Sequence, residues 1–397
     1  MKFTTQLATF QKLLQKVMPA LPQRNQYNDA LDHISLSLVD NELTAVASDT
    51  EISIKSKTFV AGDSNGEVLI PAKKINEIVK VLDSTKDMHF ECSTQENERG
   101  NTDFIIKINS GRGKFQVKGM NPDEYIELPE IFDAELPAVD EGNNSTAFFK
   151  KEVIQKLATQ THFAVSKDEY RQNMNGVLLQ FRKSYANAVA TDSFRLVRST
   201  TFAAENEFPD EVDILVPARA IDICKKVDED LIMLLDTENE RSSLLRMDFG
   251  ETIVVSRLIS ETFPKYEAII PTTSSCQATF DISDLLAALK RVAPISTEQN
   301  KKCKLEFTEE RLKLITGDEG SGEQGTEEIS AELLEAETFT VTFNIKYLEE
   351  ILQNISPSDT VNNLVTMFFV SPDRAALIKP KSEQESLIMI LMPIRSN

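Results

Sequence analysis

Val68-Leu69-Ile70-Pro71-Ala72-Lys73 and Ile214-Leu215-Val216-Pro217-Ala218-Arg219 are one pattern written twice, with the two prolines 146 positions apart. Three β-forming apolar residues run up to a proline, which donates no ladder hydrogen bond and so stops a strand. The fixed φ of the same proline suits the first turn of a helix, which the following alanine and base continue. Val341-Thr342-Phe343-Asn344-Ile345-Lys346 fills the same slot a third time. Upstream of each slot a second pattern recurs. Val46-Ala47-Ser48-Asp49-Thr50 matches Val189-Ala190-Thr191-Asp192-Ser193, and Leu314-Ile315-Thr316-Gly317-Asp318 stands in the comparable place. The first two copies also close alike, Pro122 before Pro129 and Pro264 before Pro271. A period of about 130–145 residues is too long for a solenoid unit. Three similar domains are expected instead, at residues 1–129, 130–271 and 272–397.

Each copy carries two stretches with apolar residues at helical spacing. In the first copy these are Leu7, Phe10, Leu13, Leu14 and Val17, with Thr4 or Thr5 as N-cap, then Ile75, Ile78, Val79 and Leu82. The second copy has Ile154, Leu157 and Thr161, then Ile221, Cys224 and Val227. The third has Ile282, Leu285, Leu286 and Leu289, then Leu348, Ile351, Leu352 and Ile355 behind Asn344. The remainder alternates with period two and turns at polar pairs, Asp40-Asn41 and Glu309-Glu310 among them. The fold class is therefore α+β, with antiparallel sheet and two helices in each of three similar domains.

Composition excludes several function classes. Hydrophobic residues make up 41% and charged residues 27% of the 397, which suits a folded globular chain. Four cysteines, Cys92, Cys224, Cys276 and Cys303, share no metal or pairing spacing, so reduced thiols in a cytoplasmic protein are expected. No apolar run approaches the roughly 18–20 residues a membrane span needs, so no membrane role is expected. The three histidines (His33, His89, His162) stand apart, which leaves a histidine triad or metal cluster without support. Gly320-Ser321-Gly322-Glu323-Gln324-Gly325 matches a dinucleotide-binding spacing, but its flanking glutamates would repel a pyrophosphate. It reads as an acidic loop. No catalytic residue, cofactor or metal is expected, and the chain is not expected to be an enzyme.

Charge is distributed unevenly. The formal net charge is −20, yet five of the six helical stretches are net positive. The bases are Lys12 and Lys16; Lys73, Lys74 and Lys80; Lys150, Lys151 and Lys156; Arg219, Lys225 and Lys226; Lys290 and Arg291. One basic helix is an ordinary solvated face. Repetition at corresponding places in an acidic chain points to a dedicated nucleic-acid track.

With these segments in hand, the sequence resembles the bacterial DNA polymerase III beta subunits from end to end. The carrying stretches are Met1-Lys2-Phe3-Thr4, Val68 to Lys74, Ser110-Gly111-Arg112, Arg171 to Gly176, Ala190 to Leu196, Phe263-Pro264-Lys265-Tyr266 and Met392-Pro393-Ile394-Arg395. The resemblance implies a DNA clamp fold and a ring-shaped head-to-tail homodimer with helices lining the hole. It also implies a processivity factor that encircles double-stranded DNA. Partners would be a clamp loader, the replicative DNA polymerase and other proteins that carry a clamp-binding peptide. The alternative is a clamp paralogue that keeps the peptide cleft as a scaffold without stable encirclement.

Site residues carried over by the resemblance fall in three groups. For DNA, Arg24 joins the helical bases, while Gln172 and Asn173 stand where the family has tandem aromatics. The peptide cleft would use Met174, Thr191, Ser193, Phe194, Arg195, Leu196, Pro264 and Ile269, with Ile390, Leu391, Met392, Pro393, Ile394 and Arg395. Phe194 replaces a common histidine there and Ala268 a common arginine. The subunit interface would use Lys74, Arg112, Lys114, Phe115 and Val117 against Pro294, Ile295, Glu327 and Glu328, with further acids from Glu319 and Glu323.

Overall fold

The computed structural model describes residues 1–23, 28–96, 102–136, 146–203, 207–209, 211–235, 243–296, 301–318, 322–382 and 386–395. Arg24, Glu319 and the first two residues of the glycine motif lie outside them. Six α-helices occur among the described residues: α1 Leu7–Val17, α2 Ala72–Val81, α3 Lys151–His162, α4 Ala218–Cys224, α5 Ile282–Val292 and α6 Ile345–Gln353. Contacts group the chain into two compact units. The first is Met1–Lys151 with Val227–Leu258, and the second is Glu152–Lys226 with Ile259–Asn397.

The first unit holds two sheets. One runs, in hydrogen-bonded order, Ala61–Ser64, Lys2–Gln6, Asp87–Glu96, Thr102–Ser110, Gly113–Gly119. The other has eight strands, and at its middle Ile52–Phe59 of the first copy pairs antiparallel with Thr252–Arg257 of the second. The second unit repeats the plan. A nine-stranded sheet joins Arg195–Phe202 of the second copy to Leu387–Leu391 of the third. A four-stranded sheet runs Glu323–Ser330, Arg311–Asp318, Lys302–Thr308, Thr338–Asn344. All of these pairings are antiparallel, as the period-two patterns predict. Each helix lays its apolar stripe on sheet: Leu7, Phe10, Leu13, Leu14 and Val17 of α1 are all buried, and so are Leu348, Ile351 and Leu352 of α6.

Asn344 caps α6, its Oδ1 accepting from the N–H groups of Lys346 and Tyr347 at 3.0 and 3.4 Å. The hairpins turn at Asp40-Asn41, with Asp40 at φ 55, and at Glu309-Glu310. Three expectations need correction. Thr4 and Thr5 do not cap α1, because both lie in strand Lys2–Gln6, where the ladder to Asp87–Glu96 takes them; Gln6 holds the cap position without a side-chain bond. Helix α4 ends at Cys224, so Lys225 and Lys226 follow it and the helix itself, with Arg219 against Asp222, is neutral. The acidic segment after the third copy's hairpin is not a loop. Glu323–Ser330 is a strand whose residues pair from Asp318↔Glu323 to Arg311↔Ser330, because Thr326, Ile329 and the glutamates alternate against a regular partner. Cys224, Cys276 and Cys303 are buried free thiols and Cys92 is half-buried; burial pushes the Cys224 and Cys303 thiols up to about 12.

Candidate peptide cleft and nucleic-acid interface

The candidate cleft lies where the second and third copies share a sheet. Leu196 sits opposite Ile390, and Arg198 opposite Ile388. Alternation puts Leu196, Ile388 and Ile390 on one face. There they join Leu178, Val189, Leu215, Leu377, Phe263 and Tyr266 in one buried cluster. Met392 continues that face but is 41% exposed, and Ile269 and Phe194 nearby are 51% and 56% exposed. Pro264, Pro393 and Ile394 are half-buried, Ser193 and Arg395 are exposed, and Met174 and Thr191 are buried. An apolar floor with an exposed apolar rim is what a peptide anchor requires.

A tight turn sets the rim. Asp192 Oδ1 accepts from the N–H groups of Phe194 and Arg195 at 2.9 and 3.0 Å, which turns the chain through Ser193 at φ 76. The first copy makes the same turn: Asp49 Oδ1 accepts from Glu51 and Ile52 at 3.0 and 2.8 Å, and Thr50 is also at φ 76. Met392 N–H donates to Phe194 O at 2.8 Å and fixes the last strand's exit.

Arg195 and Leu391 oppose each other in the ladder and alternate away from the cleft floor. The buried Arg195 guanidinium donates to Asp192 Oδ2 at 3.1 Å, to Phe163 O at 2.7 Å and to Glu350 of α6. It also lies 4.7 Å from the Tyr347 ring and 5.1 Å from that of Phe163. Its polar capacity is spent on holding turn, helix and strand together. Phe194 in turn stacks on Tyr347 at 5.9 Å.

The bases on and beside the helices divide into two sets. Lys73 and Lys80 of α2 and Lys290 of α5 are exposed, with Lys16 half-buried. Others already face acids: Lys12 reaches Asp228 and Lys150 reaches Asp230, each at 3.1 Å, while the Lys151 N–H donates to Asp230 at 2.9 Å. The hydrogen bond and charge of Lys12 hold the Asp228 carboxyl below its usual range. The Lys151 N–H and then Lys150 do so for Asp230. Lys225 pairs with Asp222 at 2.9 Å and Lys156 with the buried Asp359 at 2.5 Å. Arg291 makes a two-point pair with Glu327. Arg219 is half-buried. The Asp228-Glu229-Asp230 run directly after a basic stretch was the available signal for this neutralisation. Tyr170, an aromatic that the sequence reading did not single out, is 98% exposed two residues before Gln172.

The interface candidates occupy two sheet edges. Gly113–Gly119 ends the five-stranded sheet, with Lys114 and Lys118 exposed and Phe115 and Val117 half-buried; Arg112 is exposed in its turn. Lys74 is exposed on α2. Glu323–Ser330 ends the four-stranded sheet, with Glu323 and Glu328 exposed, and Glu328 lies 3.3 Å from Arg311. Pro294 is exposed and Ile295 half-buried after α5.

Family models of the DNA polymerase III beta subunit match along the chain: its N-terminal domain over residues 1–129, its central domain over 149–265 and its C-terminal domain over 267–395. The chain belongs to the DNA polymerase III beta subunit family. Its function is that of a sliding clamp, the processivity factor that works with a polymerase on DNA. Among curated relatives, the beta sliding clamp of Haemophilus influenzae is 26% identical over the full length of both chains. That of Chlamydia pneumoniae is 25% identical over all of this chain and 99% of its own. Among solved structures, the C. crescentus beta sliding clamp superposes with TM-score 0.83 at 24% identity, over all of this chain and 99% of its own. A Bartonella birtlesii sliding clamp bound to griselimycin gives 0.82 at 22%, over the whole of both chains. These likenesses establish the clamp fold. No helix among the described residues is long and apolar enough to cross a membrane.

Proposed function

We propose that two copies of this chain close head to tail into a ring around duplex DNA, with the domains at residues 1–129, 130–271 and 272–397. One observation carries the reading. Among the described residues Gly113–Gly119 and Glu323–Ser330 are edge strands, each laddered on one side alone; the first is basic and the second acidic. An open edge seeks a partner strand, and opposite charges on two edges of one chain select a heterologous contact. Such contacts close into a ring when the rotation permits. The apolar residues Phe115, Val117 and Ile295 would supply affinity while the charges choose the partner. The exposed helical bases would meet phosphates without reading bases, so binding is topological.

The cleft around Met392, Phe194 and Ile269 would tether the replicative polymerase and other proteins by short peptides, and would accept griselimycin. A clamp loader would open the ring. The chain would act in the cytoplasm, without catalysis, cofactor or metal. Gln172 and Asn173, polar where the family has aromatics, favour the second reading of a peptide-binding scaffold that does not encircle DNA. The test is to load the protein on nicked circular plasmid with a clamp loader and ATP, then cut the plasmid once. Retention on circles with loss on linearisation supports the ring. Equal retention on both forms overturns it. Failure to load, with a monomeric mass in solution, supports the scaffold.

A further inference from the structure

The two junctions between copies are built to one register, but the chain that follows the closing proline packs against only the first. In the second unit Leu196 faces Ile390 and Arg198 faces Ile388; in the first, Ser53 faces Val255 and Lys55 faces Ile253. Both follow the same aspartate-capped turn at φ 76, at Thr50 and at Ser193. Both are followed in sequence by the matching prolines Pro129 and Pro271. The first unit therefore carries, on its own sheet, a counterpart of the peptide cleft.

What comes after the proline differs. Pro271 leads into Thr272, Thr273, Ser274 and Ser275, all exposed. Pro129 leads into Glu130, Ile131, Phe132 and Asp133, a single helical turn in which Ile131 is 9% and Phe132 2% exposed, packed with Val255 and Leu234. Leu377, which faces Ile390 in the open cleft, is replaced at the matching place by Arg246, which faces Val255. Arg246 Nη1 donates to the carbonyls of Ile131 and Ala134 at 2.8 and 2.7 Å, while Asp248 takes its Nε and Nη2 at 2.8 Å each. Lys55 Nζ donates to Asp133 at 2.9 Å and lies 5.4 Å from the Phe132 ring centre. Beside this segment a cavity of about 330 Å³ remains, lined by Ser53, Leu128, Leu244, Val255 and Arg257 among others.

We propose that the first unit holds a second peptide-binding site whose occupant is the chain's own segment 130–133. Ile131 and Phe132 are the anchors, and Arg246 and Lys55 grip the backbone and the acid. The segment is an internal ligand that restricts each chain to one open cleft. Thr273 and Ser274, polar and exposed at the matching positions, place no apolar anchor on the other cleft. The inference rests on the reading of the second unit's cleft as the peptide site.

The test uses full-length protein. Wild type first binds griselimycin; if it does not, the cleft reading fails and the internal ligand is judged by the remaining arm. Then I131S/F132S, saturated with griselimycin to block the open cleft, is mixed with a labelled peptide of the sequence of residues 128–135. Saturable binding at one equivalent per chain, at least about tenfold tighter than on wild type, is expected, and a peptide with both anchors changed to serine should not bind. Equal binding to variant and wild type, or none to a folded variant, overturns the proposal. Where that variant does not fold, T273I/S274F decides, since it changes only exposed positions. A fall of about tenfold or more in griselimycin affinity is expected as the grafted pair fills the open cleft; unchanged affinity overturns the proposal.

Discussion

Arg291 on α5 and Glu327 on the edge strand Glu323–Ser330 form a two-point pair: Nε and Nη2 donate to the two carboxylate oxygens at 2.9 and 3.0 Å. The fork geometry suits both groups. It ties a base on the helix face proposed for DNA to an acid on the edge proposed for the second copy. The Arg291 hydrogen bond holds the Glu327 carboxyl below its ordinary range. In R291A the Glu327 titration midpoint should move up to the ordinary glutamate range, read by carbon NMR of the side chain. An unmoved midpoint would show that the pair is not populated in solution.

Arg195 should be a stability residue before it is a binding residue. R195A leaves the half-buried Asp192 without its guanidinium partner and Glu350 with Lys346 at 3.8 Å, and should cost about 3 kcal/mol in urea unfolding. Lysine should rescue little, since it cannot reproduce the fork and the stacking on Tyr347. F194A, at an exposed position, should cost under about 0.5 kcal/mol. Similar small losses for both would mean the Arg195 network contributes nothing.

Leu196 and Met392 share a cleft face but not a burial. L196A removes a fully buried side chain and should cost about 2–4 kcal/mol. M392A should leave the unfolding midpoint nearly unchanged and weaken binding of a labelled clamp-binding peptide about tenfold. Calorimetry on both variants separates the effects, and normal binding by M392A would mean the rim is misplaced.

Asp228 and Asp230 should restrain DNA contact by occupying Lys12 and Lys150. For binding to a short linear duplex, D228N/D230N should steepen the slope of log affinity against log salt by about 2. K73A/K80A should flatten it by about as much. Identical slopes in all three proteins would remove the helix faces from the DNA path.

His162, the last residue of α3, lies beside the end of α4, with Lys225 and Asp222 as its charged neighbours and Lys167 beyond. Burial, then Lys225, lower its pKa below 6.5, while Asp222 opposes them. A histidine depressed in the fold takes up protons more readily when unfolded. Its stabilising contribution is therefore present above pH 6.5 and is lost as pH falls through 6.5 towards the lower folded value. H162Q should flatten the thermal midpoint between about pH 7 and 5; an unchanged profile would assign that loss to other groups.

Much of this was legible from local chemistry. The proline-opened helices, the turns at Asp40-Asn41 and Glu309-Glu310, and the apolar stripes depend on neighbours a few residues apart, which the sequence displays directly. The three-copy pattern also predicted which strands would resemble one another, and it predicted the basic faces of α1 and α2. The helix cap at Thr4 or Thr5 was misread because a sheet ladder claimed both residues, a competitor set by Asp87–Glu96 far along the chain. The acidic hairpin strand was misread for the same reason: its partner, not its composition, makes it a strand.

The sequence by itself determined the elements, their repetition and the family, because those follow from periodicity and from motifs in fixed order. Only the tertiary structure decided which bases keep their charge available and which are answered by Asp228, Asp230 or Glu327. It alone separated the buried Leu196 from the exposed Met392, and showed Ile131 and Phe132 packed on the first junction. The physical reason is common to all of these. Charge pairing, burial and occupancy are relations between residues distant in sequence, fixed by strand register and packing, and no single stretch of chain contains them.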